Sequence, residues 1–485
     1  MRKRLLLFAA LALLLFVAAV AVFGWLAVKE ITPERLVREI EASRNCRARI
    51  DGCKLALFAS PARLDVTGVT LVPRDTEADN ATAVATRPPI ELHATYFRFA
   101  SATIEADLFD LIFRRRLTVR QFVVRNADVK CDLLPGGENT LKILFDSPGI
   151  VGGKPMRAPL VAAPIAAAAA AAQTVTDAAA SAAENGEETK SKRAFNVRDF
   201  GIPSTVERVA LENSRLRFRN RKSRAVTEFN GCNVSLTDIA INPSDLTAAN
   251  RATLAISTKL FLDGRDKKTK ENFRYADLIV EVRGEITPFE LGGNLNPDMA
   301  LDAVLRRDSA VERLPVLQKL QKSVSKAQRA GLQLNDLAVR TTLLKDATLK
   351  LKLHDNRMEL THDVELPFQD YALALQAGSF IDAGEETHDF RATWTASQAM
   401  SDQALRGADE FLSTLGQDAA KELRAMFISP MVKNGLISLA FVSQGDLDDP
   451  KVTVENPITD FKDRLKAAGE GLLEGIQGAF GKGNK

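Results

Sequence analysis

Histidine, tyrosine and tryptophan are scarce in this sequence. The 485 residues include 4 His, 3 Tyr and 2 Trp, against 25 Phe. None of His93, His354, His362 and His388 has the spacing of a zinc-binding helix or of a base beside a nucleophile. A G-x-S-x-G turn and a phosphate-binding glycine loop are also missing, whereas paired carboxylates of a glycosidase need only be close in space. We therefore expect no enzyme activity and no cofactor or metal.

A strong net charge is lacking as well. With 65 basic and 62 acidic residues, the formal net charge is +3, which gives no electrostatic basis for binding nucleic acid. The few Tyr and Trp side chains also disfavour a stacking platform for bases. We therefore expect no nucleic-acid partner.

Cysteine is rare too, with four in the chain. Cys46 and Cys53 are close enough in sequence to form a disulfide, which an exported protein would allow. Two free, buried thiols are the alternative. Cys131 and Cys232 lie among alternating apolar residues and are expected in the core.

The first thirty residues have the composition of a membrane anchor. Met1-Arg2-Lys3-Arg4 precedes an uninterrupted apolar run over residues 5–28. As a helix this run is about 36 Å long, enough to cross a bilayer core of about 30 Å. Ala19-Val20-Ala21 resembles a signal-peptide cleavage site, but the apolar run continues beyond it. We predict an uncleaved single-pass anchor at 1–30, with the N-terminus in the cytoplasm and the body exported.

After the anchor, the pattern predicts one helix and then mainly strands. Thr32-Pro33-Glu34 has the residues that begin a helix, which should end near Ser43. Alternation of apolar and polar residues follows and is clearest at 348–353. We expect a mainly β fold with flanking helices, in which antiparallel sheet is built from repeated β units.

One strand pattern occurs twice. Residues 118–130 align without gaps to residues 205–217, and the parity of the apolar positions changes across Asn126 and Asn213. Such a change indicates a bulge or tight turn, which Asn tolerates. Gly68 occupies the same place in a third, similar segment. Chance similarity between short amphipathic strands is the alternative.

Composition and periodicity divide the exported chain into six segments. They are a β domain at 31–155, an Ala-rich linker at 156–194, a β domain at 195–308, an amphipathic helix at 309–332, a β domain at 333–456 with a helical insertion at 396–428, and an amphipathic helix at 457–485.

Strands of the second and third β domains have one apolar and one polar face. Curled along its length, a sheet of such strands would form an apolar groove for acyl chains; packed on helices or a second sheet, it would form an ordinary core. The sequence leaves both open. The candidate groove residues are Leu254, Ile256, Leu260, Leu262, Leu278, Val280, Val282, Leu349, Leu351 and Leu353.

The order of several short motifs resembles the AsmA family of envelope proteins. The motifs are Thr32-Pro33-Glu34, residues 47–52, residues 60–66, residues 117–130 with the turn at 136–141, and Gly445-Asp446-Leu447-Asp448-Asp449-Pro450-Lys451. They cover about a third of the chain, mainly in its first and last β domains. Cys46 stands where the family pattern has glycine, and the Ala-rich linker interrupts the middle.

The resemblance implies an inner-membrane protein with a β-rich periplasmic body that acts in cell-envelope and outer-membrane biogenesis. It also implies a relation to bridge-like lipid-transfer proteins, so the expected partners are phospholipid and other envelope proteins. The expected function is the binding or conduction of phospholipid acyl chains in an apolar β groove. A non-enzymatic scaffold or assembly factor for outer-membrane proteins is the alternative.

Overall fold

The computed structural model describes residues 32–57, 59–74, 90–92, 95–114, 116–134, 140–145, 150–151, 154–155, 196–200, 204–221, 224–265, 269, 271–328, 334, 337, 339–382, 385, 387–414, 417–446 and 450–455. The predicted anchor at 1–30, the linker at 156–194 and the helix at 457–485 lie outside these residues. Within the described residues, no helix combines the length and hydropathy needed to cross a membrane.

Helices are few in the described part of the chain. The α-helices are α1 Pro33–Ser43, α2 Leu108–Arg114, α3 Leu141–Phe145, α4 Pro315–Gln328, α5 Gln398–Ser413 and α6 Gln417–Leu423. A π-helical turn follows at Arg424–Ile428, and 3-10 turns lie at Val197–Phe200 and Ser429–Met431.

Strands make up most of the described chain. They are β1 Cys46–Arg49, β2 Gly52–Ala56, β3 Ala62–Pro73, β4 Tyr96–Ala106, β5 Leu117–Arg125, β6 Asp128–Leu133, β7 Ile150–Val151, β8 Lys154–Pro155, β9 Ser204–Asn220, β10 Val226–Ile241, β11 Asn250–Arg265, β12 Asn272–Phe289, β13 Leu295–Leu305, β14 Ala310–Val311, β15 Thr341–Thr342, β16 Ala347–His354, β17 Arg357–Leu360, β18 Val364–Pro367, β19 Tyr371–Leu375, β20 Phe380–Asp382, β21 Thr387–Ala396, β22 Val432–Lys433, β23 Leu436–Asp446 and β24 Lys451–Val454.

The strands pair in one large mixed sheet of 22 strands, and β7 and β8 form a separate hairpin. Antiparallel pairs include β3 with β4 and β21 with β23, whereas β5 pairs with β9 in parallel. The prediction of a mainly β fold is confirmed. The expectation of purely antiparallel pairing is wrong at β5 and β9, and the reason lies in the repeat described below.

The chain divides into two compact units. Unit 1 comprises the described residues within Met1–Phe218, Leu236–Arg251 and Phe289–Leu295. Unit 2 comprises those within Arg219–Ser235, Ala252–Pro288 and Asn296–Lys485. The division passes through the long strands β9 to β12, so it does not coincide with the segment boundaries expected from composition.

The core of unit 1 lies beneath α1. Thr32 caps this helix by accepting a hydrogen bond from the amide of Arg35 at 3.3 Å, and Pro33 occupies the first turn. The helix ends at Ser43, as predicted. Its Val37 packs in a cluster with residues of the first strands and of α3, namely Cys46, Ala48, Ile50, Val69, Leu71 and Leu144.

The core of unit 2 is larger and is covered by helices. Trp394 on β21 and Leu439 on β23 are directly opposite each other, and both are fully buried. Leu320 of α4 and Ala404 of α5 pack in the same cluster. These helices shield one side of the sheet from water.

Helix α4 begins later than the sequence suggested. We expected a helix from residue 309, but Ala310 and Val311 form β14, which pairs with Ala276 and Asp277 on β12. Pro315 is the first helical residue. Proline has no amide hydrogen and its fixed φ suits the first helical position, so it marks the start that the apolar spacing alone misplaced.

The two copies of the repeated segment lie side by side. In the parallel pair of β5 and β9, Thr118 is opposite Thr205 and Arg125 is opposite Glu212. The separation of 87 residues is that of the sequence alignment, so equivalent residues are neighbours.

The predicted change of parity occurs where the backbone becomes left-handed. Asn126, Asn213 and Gly68 have φ values of 52°, 46° and 63°. The Asn213 amide donates from Nδ2 to Oδ1 of Asn126 at 2.8 Å. The additional residue keeps apolar side chains on one face, since Val66 and Val69 both pack in the unit 1 core.

Opposite charges occupy equivalent positions of the two copies. Arg120 donates to Glu207 at 3.2 Å, and Arg125 donates to Glu212 at 2.9 Å. The hydrogen bond from Arg208, together with the charge of Arg125, lowers the pKa of Glu212 despite the cost of burial. The copies therefore match each other electrostatically in this register.

Candidate apolar binding face

Seven of the ten candidate groove residues lie on β11 and β12, on one face of the sheet. Ile256 is opposite Val282, and Leu260 is opposite Leu278. Paired residues, and alternate residues along a strand, point to the same side of a sheet. The remaining members of this group have the same parity on the same strands: Leu254, Leu262 and Val280.

The other three candidates lie on β16 and have apolar partners on both sides. Leu351 is opposite Leu301 on β13 and opposite Leu360 on β17. Leu349 and Leu353 share its face because they are two residues away along the strand.

Strand β13 connects the two groups. The amide of Arg306 donates to the carbonyl of Ile279 on β12 at 2.9 Å. A Cβ added at Gly284, which is opposite Leu254, would lie 2.8 Å from Cδ2 of Leu301. Leu301 therefore covers the space that glycine leaves, and both groups share one face. Sequence reasoning missed Gly284 and Leu301.

One end of this face is closed. Leu262 and Leu278 pack against the unit 2 core, which also contains Ala347 at the start of β16. Leu254 lies at the other end of β11, opposite Gly284; it is 8% exposed and is not part of that core. The other seven candidates are half-buried and are not among the residues that pack in that core; we call them the unit 2 face: Ile256, Leu260, Val280, Val282, Leu349, Leu351 and Leu353. The half-buried candidates thus extend from the closed core, at Leu262 and Leu278, towards buried Leu254 at the other end of β11.

The opposite side of these strands carries the charges. Lys350 and Lys352 are exposed and alternate with the leucines of β16. Glu281 lies between Val280 and Val282, and it accepts a hydrogen bond from Arg306 at 3.1 Å. This hydrogen bond lowers the pKa of Glu281, so its carboxylate stays ionised on the polar side.

The polar groups near the unit 2 face are few and have partners. Thr258 is buried opposite Val280, and its hydroxyl donates to the carbonyl of Asn230 at 3.3 Å. Cys232 is also buried, as predicted, and burial raises the pKa of its thiol. A depression of about 300 Å³ beside these strands includes Thr258 and Val280 in its lining.

Unit 1 has a corresponding apolar row that the sequence analysis did not identify. Successive pairings place Leu55, Leu64, Ile104, Phe122 and Val209 in one line across β2, β3, β4, β5 and β9. Ile104 and Phe122 are each 37% exposed. The helix-covered core of this unit lies farther along β3 and β4, beyond the left-handed residues. Unit 1 therefore also has a covered and an uncovered end.

The hypothesis of a Cys46–Cys53 disulfide is wrong in this structure, where both thiols are free. Cys46 is opposite Pro73 and Cys53 is opposite Val66, so they are seven residues apart along β3. At about 3.3 Å per residue this is about 23 Å, whereas a disulfide requires Cα atoms within about 7 Å. Extended strands separate residues that are close in sequence.

No group of three or more His, Cys, Asp or Glu side chains that could hold a metal ion occurs within the described residues. Comparison of the chain with protein-family models, with curated proteins and with solved structures found no match in any of the three. The resemblance to the AsmA family therefore stays a prediction from the motifs quoted above.

Proposed function

We propose that this protein binds phospholipid acyl chains on the unit 2 face, as a periplasmic protein anchored in the inner membrane. The observation that carries the proposal is the half-buried state of seven aliphatic side chains that continue from a helix-covered core. A row of partly exposed aliphatic side chains beside a closed core is a surface that an apolar ligand or partner could cover.

The physical chemistry of the face suits a lipid chain. Each methylene moved from water to an apolar surface contributes about 0.8 kcal/mol, so ten methylenes contribute about 8 kcal/mol. Charged side chains such as Lys350 and Lys352 lie on the other side of the sheet, where they do not oppose an acyl chain. The headgroup would remain in water. Binding of this kind requires no catalytic residues, which agrees with the sequence.

The cellular location in this proposal rests on residues 5–28 and on the motif resemblance. We expect the apolar run to remain uncleaved in the mature protein, because it extends past its one small-x-small triplet. Mass spectrometry of the purified protein measures its N-terminus. A mature chain beginning near Val22 would contradict the anchor.

Lipid binding can be tested by substituting the face and its reverse side. Leu351→Asp places a carboxylate on the unit 2 face, and Thr348→Asp places the same charge on the exposed side of β16. We expect the wild type and Thr348→Asp to carry phospholipid, detected by mass spectrometry of extracted lipids. Leu351→Asp should remain folded by circular dichroism but carry less, because an acyl chain would have to desolvate the carboxylate.

Two results would contradict the proposal. One is a wild-type protein without bound lipid together with an unfolded Leu351→Asp, which would indicate a closed core. The other is equal lipid content in Leu351→Asp and Thr348→Asp. The assembly-factor alternative would then be favoured, since it requires proteins rather than lipid as partners.

A further inference from the structure

Helix α2 exposes two aromatic rings side by side. Phe109 and Phe113 are one helical turn apart, and their ring centroids are 4.7 Å apart. Their exposed fractions are 58% and 64%. Burial of aromatic rings is favourable, so two neighbouring rings left in water are energetically suited to contact an apolar surface. Such a pair indicates a surface that contacts something apolar.

The position of α2 relates this pair to the uncovered end of unit 1. The helix connects β4 to β5, and the amide of Asp107 closes the connection by donating to the carbonyl of Thr118 at 2.8 Å. Ile104 and Phe122, the exposed members of the apolar row, pair with each other close to this connection. The aromatic pair therefore lies at the strand ends where the row is uncovered.

Charge determines which partner fits. The helix ends at Arg114, whose side chain is 67% exposed, and two further arginines follow it in the sequence. Both nearby acids are occupied within the unit: Asp110 accepts hydrogen bonds from Arg114 at 3.0 Å and from Thr118 at 2.9 Å, and Asp107 accepts from amides of the first turn. Phenylalanines beside arginines suit a bilayer, in which rings enter the acyl region and guanidinium groups contact lipid phosphates.

We propose that Phe109 and Phe113 dock unit 1 onto the surface of an anionic phospholipid bilayer. Docking would bring the uncovered row at Ile104 and Phe122 to the membrane, where an acyl chain could pass between bilayer and protein. The inference rests on the proposed lipid binding and adds the membrane as the partner of this helix.

The test uses the full chain held in a non-ionic amphipol, which offers no bilayer, and protein-free vesicles of phosphatidylcholine containing phosphatidylglycerol. Co-flotation measures vesicle binding. The variant Phe109→Ser/Phe113→Ser should bind vesicles at least about tenfold more weakly, because it removes both rings. A matched control, Leu291→Ser/Leu344→Ser, removes two aliphatic side chains that are also more than half exposed and should bind like the wild type. Added salt, or vesicles of phosphatidylcholine alone, should weaken wild-type binding.

Several outcomes would overturn the docking proposal. They are no vesicle binding by the wild type, equal binding by the double phenylalanine variant, or an equal loss in the leucine control. If the double phenylalanine variant instead changes a dimer to a monomer with vesicle binding unaltered, the rings contact a second copy of the chain. Lipid is extracted from each purified variant before vesicles are added, so that a loss of docking with normal lipid content is distinguished from a failure of lipid binding itself.

Discussion

Replacing one leucine of the unit 2 core and one leucine of the unit 2 face by alanine should show whether the face is a closed core. Leu439 is fully buried opposite Trp394, whereas Leu351 belongs to the half-buried unit 2 face. In a closed core, Leu→Ala costs about 2–5 kcal/mol, because the lost transfer free energy is joined by the cost of a cavity. At Leu351 the removed carbons are partly in water already, and solvent can fill the space. We expect a loss of about 1 kcal/mol in lipid-free protein.

The assay is urea unfolding followed by the fluorescence of Trp394 in a Trp25→Phe background. The chain has two tryptophans, so this background makes the signal report on unit 2 alone. A single unit is also more suitable for a two-state fit than the whole chain. The m-value should be unchanged in both variants, since the exposed area on unfolding changes little.

The stability of the two variants can also be compared with and without bound lipid. A ligand that binds only the folded state raises its stability, so lipid-loaded protein should unfold at higher urea. Leu351→Ala should lose part of the stability that bound lipid adds, whereas Leu439→Ala should retain it. If Leu351→Ala costs as much as Leu439→Ala in lipid-free protein, the face is a closed core and the reasoning is refuted.

Three further predictions concern local features. Asn126→Ala should lower the free energy of unfolding by about 1–2 kcal/mol and Asn126→Gly by less, because only glycine adopts a left-handed backbone without strain; equal losses in urea unfolding would contradict this. Gly68→Ala should cost more than Gly231→Ala, since both have positive φ but only at Gly68 would a Cβ meet a carboxylate oxygen of Asp51, at 2.1 Å; thermal melting of the two variants measures the difference. Burial lowers the pKa of His388 below its ordinary value of 6.5, so protonation opposes folding and stability should decrease as the pH falls below about 6.5; His388→Gln should flatten this part of the profile of melting temperature against pH.

Local signals predicted local structure well. The capping residue Thr32 and the adjacent Pro33 located α1, and the parity change located the left-handed residues Asn126 and Asn213. These features depend on backbone preferences of a few neighbouring residues, which a sequence carries directly. The predicted start of helix α4 was too early, because apolar spacing alone cannot distinguish its first turn from the strand that precedes it.

Features that depend on pairing between distant strands were not predictable in the same way. The separation of Cys46 and Cys53 is set by the register of β3. Likewise, Gly284 matters because the backbone of β13 passes close to it, with the Ala300 carbonyl and Leu301 beside it. Alternation reveals which side of a strand is apolar but not what covers that side, so the sequence left a groove and a core equally open.

The in-register pairing of β5 and β9 has a consequence for how such a protein can lengthen. Because equivalent side chains of the two copies are directly opposite each other, a duplicated segment can pair with the original one while keeping the same apolar and polar faces. The matching is directional, however, since Arg120 and Arg125 of one copy meet Glu207 and Glu212 of the other. Because β9 also pairs with β10, a further copy facing the acids of β9 would have to be inserted between strands that are already paired, with basic residues at the matching positions. Growth by duplication would thus be constrained both by the order of the charges and by the strands that already occupy the edges of the repeat.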